Sequence, residues 1–167
     1  MKCINCARAP VESRRENHRY VECGLESITI VNMEVRYCPE CGENEYVIPD
    51  IEGLHTCIAS AVASKPEQLV PQEIRFLRKY LGLSTKDFAA KIGVSPETVS
   101  RWERVDEPKS MGVPTERLLR LMVFNERPAD HYPRARLEDT AVKDPAPSKM
   151  RVSPGADGWE SRDVRAE

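Results

Sequence analysis

Residues 84–103 read Ser84-Thr85-Lys86-Asp87-Phe88-Ala89-Ala90-Lys91-Ile92-Gly93-Val94-Ser95-Pro96-Glu97-Thr98-Val99-Ser100-Arg101-Trp102-Glu103. Ser84 predicts a helix N-cap, with Asp87 three residues on as a shorter version of the capping-box acid. Phe88, Ala89 and Ile92 face inward, and Gly93 makes a turn where a Cβ would clash. Ser95 then caps a further helix whose first position is Pro96, with Val99 and Trp102 on its buried side. Counting from Thr85, the fifth residue is small (Ala89), the ninth is Gly93 and the fifteenth is β-branched (Val99). Those are the positions at which the two helices of a helix-turn-helix approach closely.

Working outward, Pro71 opens a preceding helix with Ile74, Leu77, Arg78 and Leu81 at 3.6 spacing, and Gly82 stops it. An αα-hairpin that only builds a core would not need a polar outer face on its last helix. Here Ser95, Glu97, Thr98, Ser100 and Arg101 stand where base edges would be met. Arg101 suits bidentate contact to guanine, Glu97 can accept from cytosine N4, and Thr98 can touch a thymine methyl. Thr85 and Lys86 are placed for phosphate contacts at the start of the helix before. Downstream, residues 115–125 are apolar over more than one face, which predicts a core helix that also forms part of a dimer interface.

Charge agrees with a local nucleic-acid face. The 167-residue chain carries a net −2, which excludes binding by bulk attraction. Residues 71–125 hold 10 Lys and Arg against 7 Asp and Glu and are the only basic segment; residues 1–70 hold 7 against 11, and residues 126–167 hold 8 against 9. An excess of three is modest, so double-stranded DNA with a palindromic operator, read by a homodimer, is the expected partner. Residues 126–167 contain five prolines and no apolar period, and read as a disordered tail, with a short helix around 135–142 as the alternative.

Ahead of the helices, Cys3-Ile-Asn-Cys6 and Cys38-Pro-Glu-Cys41-Gly42 give two C-x2-C pairs. Two such knuckles complete a tetrahedral Zn²⁺ site, one ion per chain. Four thiolates leave no open coordination position, so the ion is expected to be structural. A redox-active pair would need a strand-to-helix junction that neither knuckle has, and disulfides do not suit a reducing compartment. His18 or His55 in place of a cysteine is the remaining alternative, while Cys23 and Cys57 read as ordinary small apolar residues. Ile28, Ile30, Met33, Val35 and Tyr37 make an imperfect period of two, and residues 18–23 form a second β-compatible run, so a zinc-ribbon-like arrangement is expected. Leu54, Ile58, Ala61 and Val62 predict a helix over 51–64.

The expected class is therefore α+β: a zinc-binding module over 1–50, a helical linker over 51–70, a Cro/repressor-like helix-turn-helix domain over 71–125 and the tail over 126–167. The module and the helical domain are expected to have separate cores. No apolar run is long enough for a membrane span, and Met1-Lys2-Cys3 opens no secretory signal, so a cytoplasmic protein is expected. No histidine or carboxylate cluster accompanies the cysteines and no Gly-rich phosphate loop occurs, so no enzymatic activity is expected.

A cysteine-pair module followed by this helix-turn-helix resembles the MqsA-type antitoxins, also called YgiT-type, over about residues 1–125. The resemblance implies a bacterial or phage-borne DNA-binding homodimer. Its zinc module would contact a cognate mRNA-cleaving ribonuclease toxin, and its helix-turn-helix would repress the shared operon. By position, Cys3, Cys6, Cys38 and Cys41 match the family's zinc ligands and Arg101 its recognition arginine. Glu97 stands where the best-known member has a DNA-contacting asparagine, so the operator sequence does not carry over. A stand-alone zinc-containing transcriptional regulator without a toxin is the alternative.

Overall fold

The computed structural model describes residues 2–107, 109–125, 147 and 149–163. In chain order its elements are β1 (Glu12–Arg19), β2 (Ile28–Tyr37), β3 (Asn44–Val47), α1 (Ile51–Ser64), α2 (Pro71–Tyr80), α3 (Thr85–Ile92), α4 (Pro96–Trp102), α5 (Val113–Phe124), β4 (Met150–Gly155) and β5 (Gly158–Asp163). The α+β expectation holds, with the cysteine-bearing sheet first and the helix-turn-helix after it.

β2 is the centre of the sheet. Its buried residues are Ile28, Ile30, Met33 and Val35, and each such side chain contributes about 1.5–3 kcal/mol by leaving water. The imperfect period has a local cause. Asn32 adopts φ +56°, and the pairing with β1 slips between Glu16 and His18. This bulge absorbs one residue, so Ile30 and Met33 face the same side although three apart.

β1 runs antiparallel along one edge of β2. The other edge is shared: β3 pairs with residues 34–37, and β4 lies parallel to residues 28–30. β5 then pairs antiparallel with β4. The expected unstructured tail thus gives way over residues 150–163 to a hairpin that joins the sheet, because Met150 and Val152 bury against the same core as Ile28 and Ile30. The alternative helix around 135–142 lies outside the described residues. The second strand also differs from expectation: it is β1, while residues 20–24 form a turn closed by Gly24 N–H to the Val21 carbonyl at 2.8 Å.

α1 occupies the predicted residues but is no mere linker. Asp50 caps it by accepting from Gly53 N–H at 2.8 Å. Leu54, Cys57, Ile58, Ala59, Val62 and Ala63 are all buried, because the helix touches β4 and β5 as well as α2 and α5. Trp159 of β5 donates from Nε1 to the Asp50 carbonyl at 2.9 Å, and the Tyr20 hydroxyl meets His55 Nε2 at 2.9 Å. One apolar cluster runs from Ile28 and Val152 through Leu54 and Leu77 to Phe88, Trp102 and Leu119. The sheet and the helices therefore share a core, where separate cores were expected. A second, small cluster holds only Cys3, Ala9 and Cys38 with Cys6 and Val11 against them. Among the described residues no helix is long and apolar enough to cross a membrane.

Candidate functional site

The two knuckles have the same backbone design. In the first, Ala7 N–H bonds to the Cys3 carbonyl at 3.0 Å; in the second, Gly42 N–H bonds to the Cys38 carbonyl at 2.9 Å. The residue four after each leading cysteine is left-handed, with φ +54° at Ala7 and +72° at Gly42. Glycine takes this conformation freely, whereas alanine pays about 1–2 kcal/mol for it. That Ala7 nevertheless adopts it points to a turn dictated by the cysteines it brings round. Cys3 N–H to the Ala9 carbonyl at 3.0 Å and Cys38 N–H to the Glu43 carbonyl at 2.9 Å close each loop at its base.

This geometry gathers all four sulfurs within 4.8 Å of one another. Cys3 Sγ lies 3.7 Å from Cys41 Sγ, and Cys6 Sγ lies 3.6 Å from Cys38 Sγ. Four sulfurs about 2.3 Å from a tetrahedral ion stand about 3.8 Å apart, so the donor set fits a metal and not a pair of disulfides. The thiols already compete for ionisation. The backbone N–H of Arg8 leads in holding Cys6 down to about 7, against burial. At Cys41 the Glu43 backbone N–H pulls downward, but burial and hydrogen bonds with Cys38, Cys3 and Cys6 push the thiol up to about 12. A bound cation favours the thiolate form at every position. His18 and His55 take no part: His18 stacks on Tyr46 with ring centres 4.2 Å apart, and His55 bonds Tyr20. Cys57 is buried, and burial raises the half-buried Cys23 thiol, as suits apolar residues.

In the helical part, Ser84 Oγ accepts from Asp87 N–H at 3.1 Å and donates to its carboxylate at 2.5 Å. Gly93 is left-handed at φ +74°, which lets Val94 N–H reach the Ala89 carbonyl at 3.0 Å. Ala89 and Val99 are buried where α3 and α4 approach. Ser95 Oγ accepts from Thr98 N–H at 3.2 Å and lies 3.1 Å from the Thr98 hydroxyl.

The candidate residues divide into two groups. Thr85 and Lys86 open α3; Glu97, Thr98, Ser100 and Arg101 follow Ser95 along α4. Glu97, Ser100 and Arg101 are exposed, but Thr98 is half-buried and Ser95 and Thr98 are engaged in the cap. Glu97 is held below the usual carboxylate range by its own backbone N–H, then by the Ser95 side chain, with Arg101 assisting. Arg104, which sequence reading passed over, joins Pro96, Glu97, Ser100 and Arg101 around a shallow cleft of about 310 Å³. Its place three residues after Arg101, just beyond the Glu103 cap of α4, was the available signal.

A buried ion pair sets the pitch of α4 against α2. Arg78 Nε donates to Glu103 Oε1 at 2.6 Å and Nη2 to Oε2 at 2.9 Å, while Nη1 reaches the Leu83 carbonyl at 2.7 Å. This bidentate fork fixes the distal end of α4 in direction as well as distance.

A family model described as the antitoxin component of a bacterial toxin-antitoxin system, MqsA, matches residues 1–128. No curated protein and no solved structure matches the chain. The matched stretch contains the four cysteines and the whole helix-turn-helix, and it ends before the β4–β5 hairpin.

Proposed function

The chain belongs to the family of MqsA antitoxins of bacterial toxin-antitoxin systems, and from that premise we propose that it is a zinc-stabilised, sequence-specific DNA-binding repressor. It acts as an antitoxin by binding a ribonuclease toxin through the cysteine-bearing module and repressing its own operon. The observation that carries the reading is the joint presence, in one matched stretch, of a four-sulfur metal site and a capped α3–Gly93–α4 unit with an exposed polar face. Zinc is the metal the donor set favours, because four thiolates on two knuckles form a closed tetrahedral site. Its role is structural, and the protein is not an enzyme.

In this reading Arg101 reads a guanine, with Glu97, Thr98 and Ser100 beside it. Thr85 and Lys86 position the α3–α4 unit on phosphates, and Ser95 stands with the residues of the base-facing surface. A gel shift on the protein's own promoter tests it. Arg101→Ala should weaken operator binding by about 1–3 kcal/mol, and wild-type affinity in that variant would refute the assignment. Co-expression with the open reading frames that adjoin its gene, followed by affinity purification, tests the toxin partner; failure to co-purify any ribonuclease would leave a repressor without one.

Dimerisation is assigned to α5. Leu118 and Leu121 are 41% and 36% exposed on its outer face, while Leu119 and Val123 face the core. Paired half-sites would multiply the modest affinity of one basic domain. Leu118→Glu with Leu121→Glu should therefore yield a monomer by sedimentation and lose operator binding together with dimerisation. A double variant that remains dimeric would move the interface elsewhere.

A further inference from the structure

β5 closes one side of the sheet. The strand order is β1-β2-β4-β5 with β3 beside β2, and among the described residues no strand lies beyond β5. Gly155 pairs with Gly158 across the two-residue turn Ala156–Asp157, and the register runs without a slip to Met150 and Asp163. A two-residue hairpin closes on a hydrogen-bonded pair, and such pairs alternate along the strands. Glu160 and Arg162 therefore direct their backbone groups to β4, whereas Trp159, Ser161 and Asp163 turn theirs to the open edge.

Edges are usually built to refuse a partner. β1, at the other end of the sheet, carries the bulge between Glu16 and His18. β5 has no bulge, no proline and no lysine. Ser161 lies opposite the buried Val152, so Glu160 and Arg162 share the face away from the core, where both are exposed. They differ in sign and flank Ser161. A single sign would repel a second copy, but this pattern attracts one. Within the chain neither charge meets its complement: Arg162 lies directly opposite Arg151, and Glu160 opposite Ser153. Among the described ion pairs none involves Arg151, Glu160 or Arg162.

We propose that the β5 edge is an interface for a second copy of this chain, in which two β5 strands pair antiparallel about a two-fold axis through Ser161 and join the two sheets. Because only Trp159, Ser161 and Asp163 offer backbone groups outward, the central registers place the axis at residue 160, 161 or 162. An axis at 160 sets Glu160 against Glu160, and one at 162 sets Arg162 against Arg162. With the axis at Ser161, Glu160 of each copy faces Arg162 of the other, in non-hydrogen-bonded pairs where side chains lie closest. That is the self-complementarity an isologous interface requires. Glu160 leans back over Gly155, where an added Cβ would meet its carboxylate at 2.7 Å; a change of rotamer on this exposed side chain turns it to the edge. The strand offers six residues, fewer than the roughly 20–30 a side of a stable interface. Edge pairing is therefore expected to join dimers already held by α5. The pairing stands on the β5 register alone, and only this stoichiometry rests on the α5 reading.

The test is sedimentation velocity of the zinc-loaded full chain over a rising concentration series. Wild type should form species beyond the dimer. Glu160→Arg and Arg162→Glu each set like charges opposite one another across the axis, and each should weaken that step about tenfold. Both side chains are exposed and neither change touches the backbone bonds to β4, so circular dichroism should stay that of wild type. An equal mixture of the two variants should restore the step, because each then meets an edge of opposite charge. So should the swap of both charges within one chain. A wild-type dimer that grows no further and is indifferent to these variants overturns the proposal. Larger species that form equally well in both single variants, or a mixture that restores nothing, also overturn it. If the charge variants dissolve the dimer itself and Leu118→Glu with Leu121→Glu does not, the strand pairing stands and the α5 assignment falls.

Discussion

Removing the metal from the four-cysteine site, by chelation or by Cys38→Ser, is expected to release residues 2–11 and 38–47 while residues 51–124 stay folded. The boundary follows from where apolar contacts end. Cys3, Ala9 and Cys38, with Cys6 and Val11, form a cluster of their own, too small to offset the chain entropy of two knuckles without an ion. Apparent binding energies of structural zinc run to about 10–16 kcal/mol, so the local effect should be complete. Ile28 and Ile30, by contrast, lie in the cluster that contains Leu54, Leu77 and Leu119, and that end of β2 is also held by β4. Amide hydrogen exchange resolves the two regions. Protection should vanish in the knuckles and β3, persist in α1, α2 and α5, and change part-way along β2. A uniform loss of protection that includes Leu54 and Leu119 would show that the ion organises the whole core.

The elements that were legible in the sequence are those whose causes are local. Ser84, Gly93, Ser95 and Pro96 act on backbone groups within a few residues, so their spacing alone located α3 and α4. The cysteine spacing likewise implied two turns, and the sulfurs do converge. β1 was missed because Glu-Ser-Arg-Arg-Glu-Asn-His-Arg is polar throughout; an edge strand with little burial carries no alternation to detect. The hairpin was missed for a different reason. Only Met150 and Val152 of β4 are buried, and their partner β2 lies more than 100 residues earlier in the chain. Periodicity within a short window carries no trace of such a pairing. Side-chain type gives no sign of the buried Glu103 and Arg120, which belong to residue classes that are rarely fully buried.

Arg120→Ala should destabilise the protein by about 3–5 kcal/mol, the usual result of breaking a buried charge pair from one side. Arg120 is 1% exposed, and three of its hydrogen bonds close the junction between α1 and α2. Nη1 donates to the carbonyls of Ala63 at 2.8 Å and Lys65 at 2.7 Å, and Nη2 donates to that of Glu67 at 2.6 Å. The Ala63 and Lys65 carbonyls are acceptors left over where α1 ends, and a cation there is also favoured by the helix dipole. Glu116 Oε1 balances the charge, accepting from Arg120 Nη2 at 2.7 Å and also from Leu69 N–H at 3.3 Å. Alanine would leave three carbonyls and a carboxylate buried together without their donor. The double variant Arg120→Met with Glu116→Gln separates the two contributions. Removing both charges should recover part of the loss, but the carbonyls remain unsatisfied, at about 1–3 kcal/mol for a buried group left without its partner. The order of urea midpoints should therefore be wild type, then double variant, then Arg120→Ala. If the double variant matched wild type, the carbonyls would have found other partners. The segment from 65 to 70 would then be held without Arg120, with the Lys65–Glu73 pair and the Val70 N–H bond to Glu73 among its remaining ties.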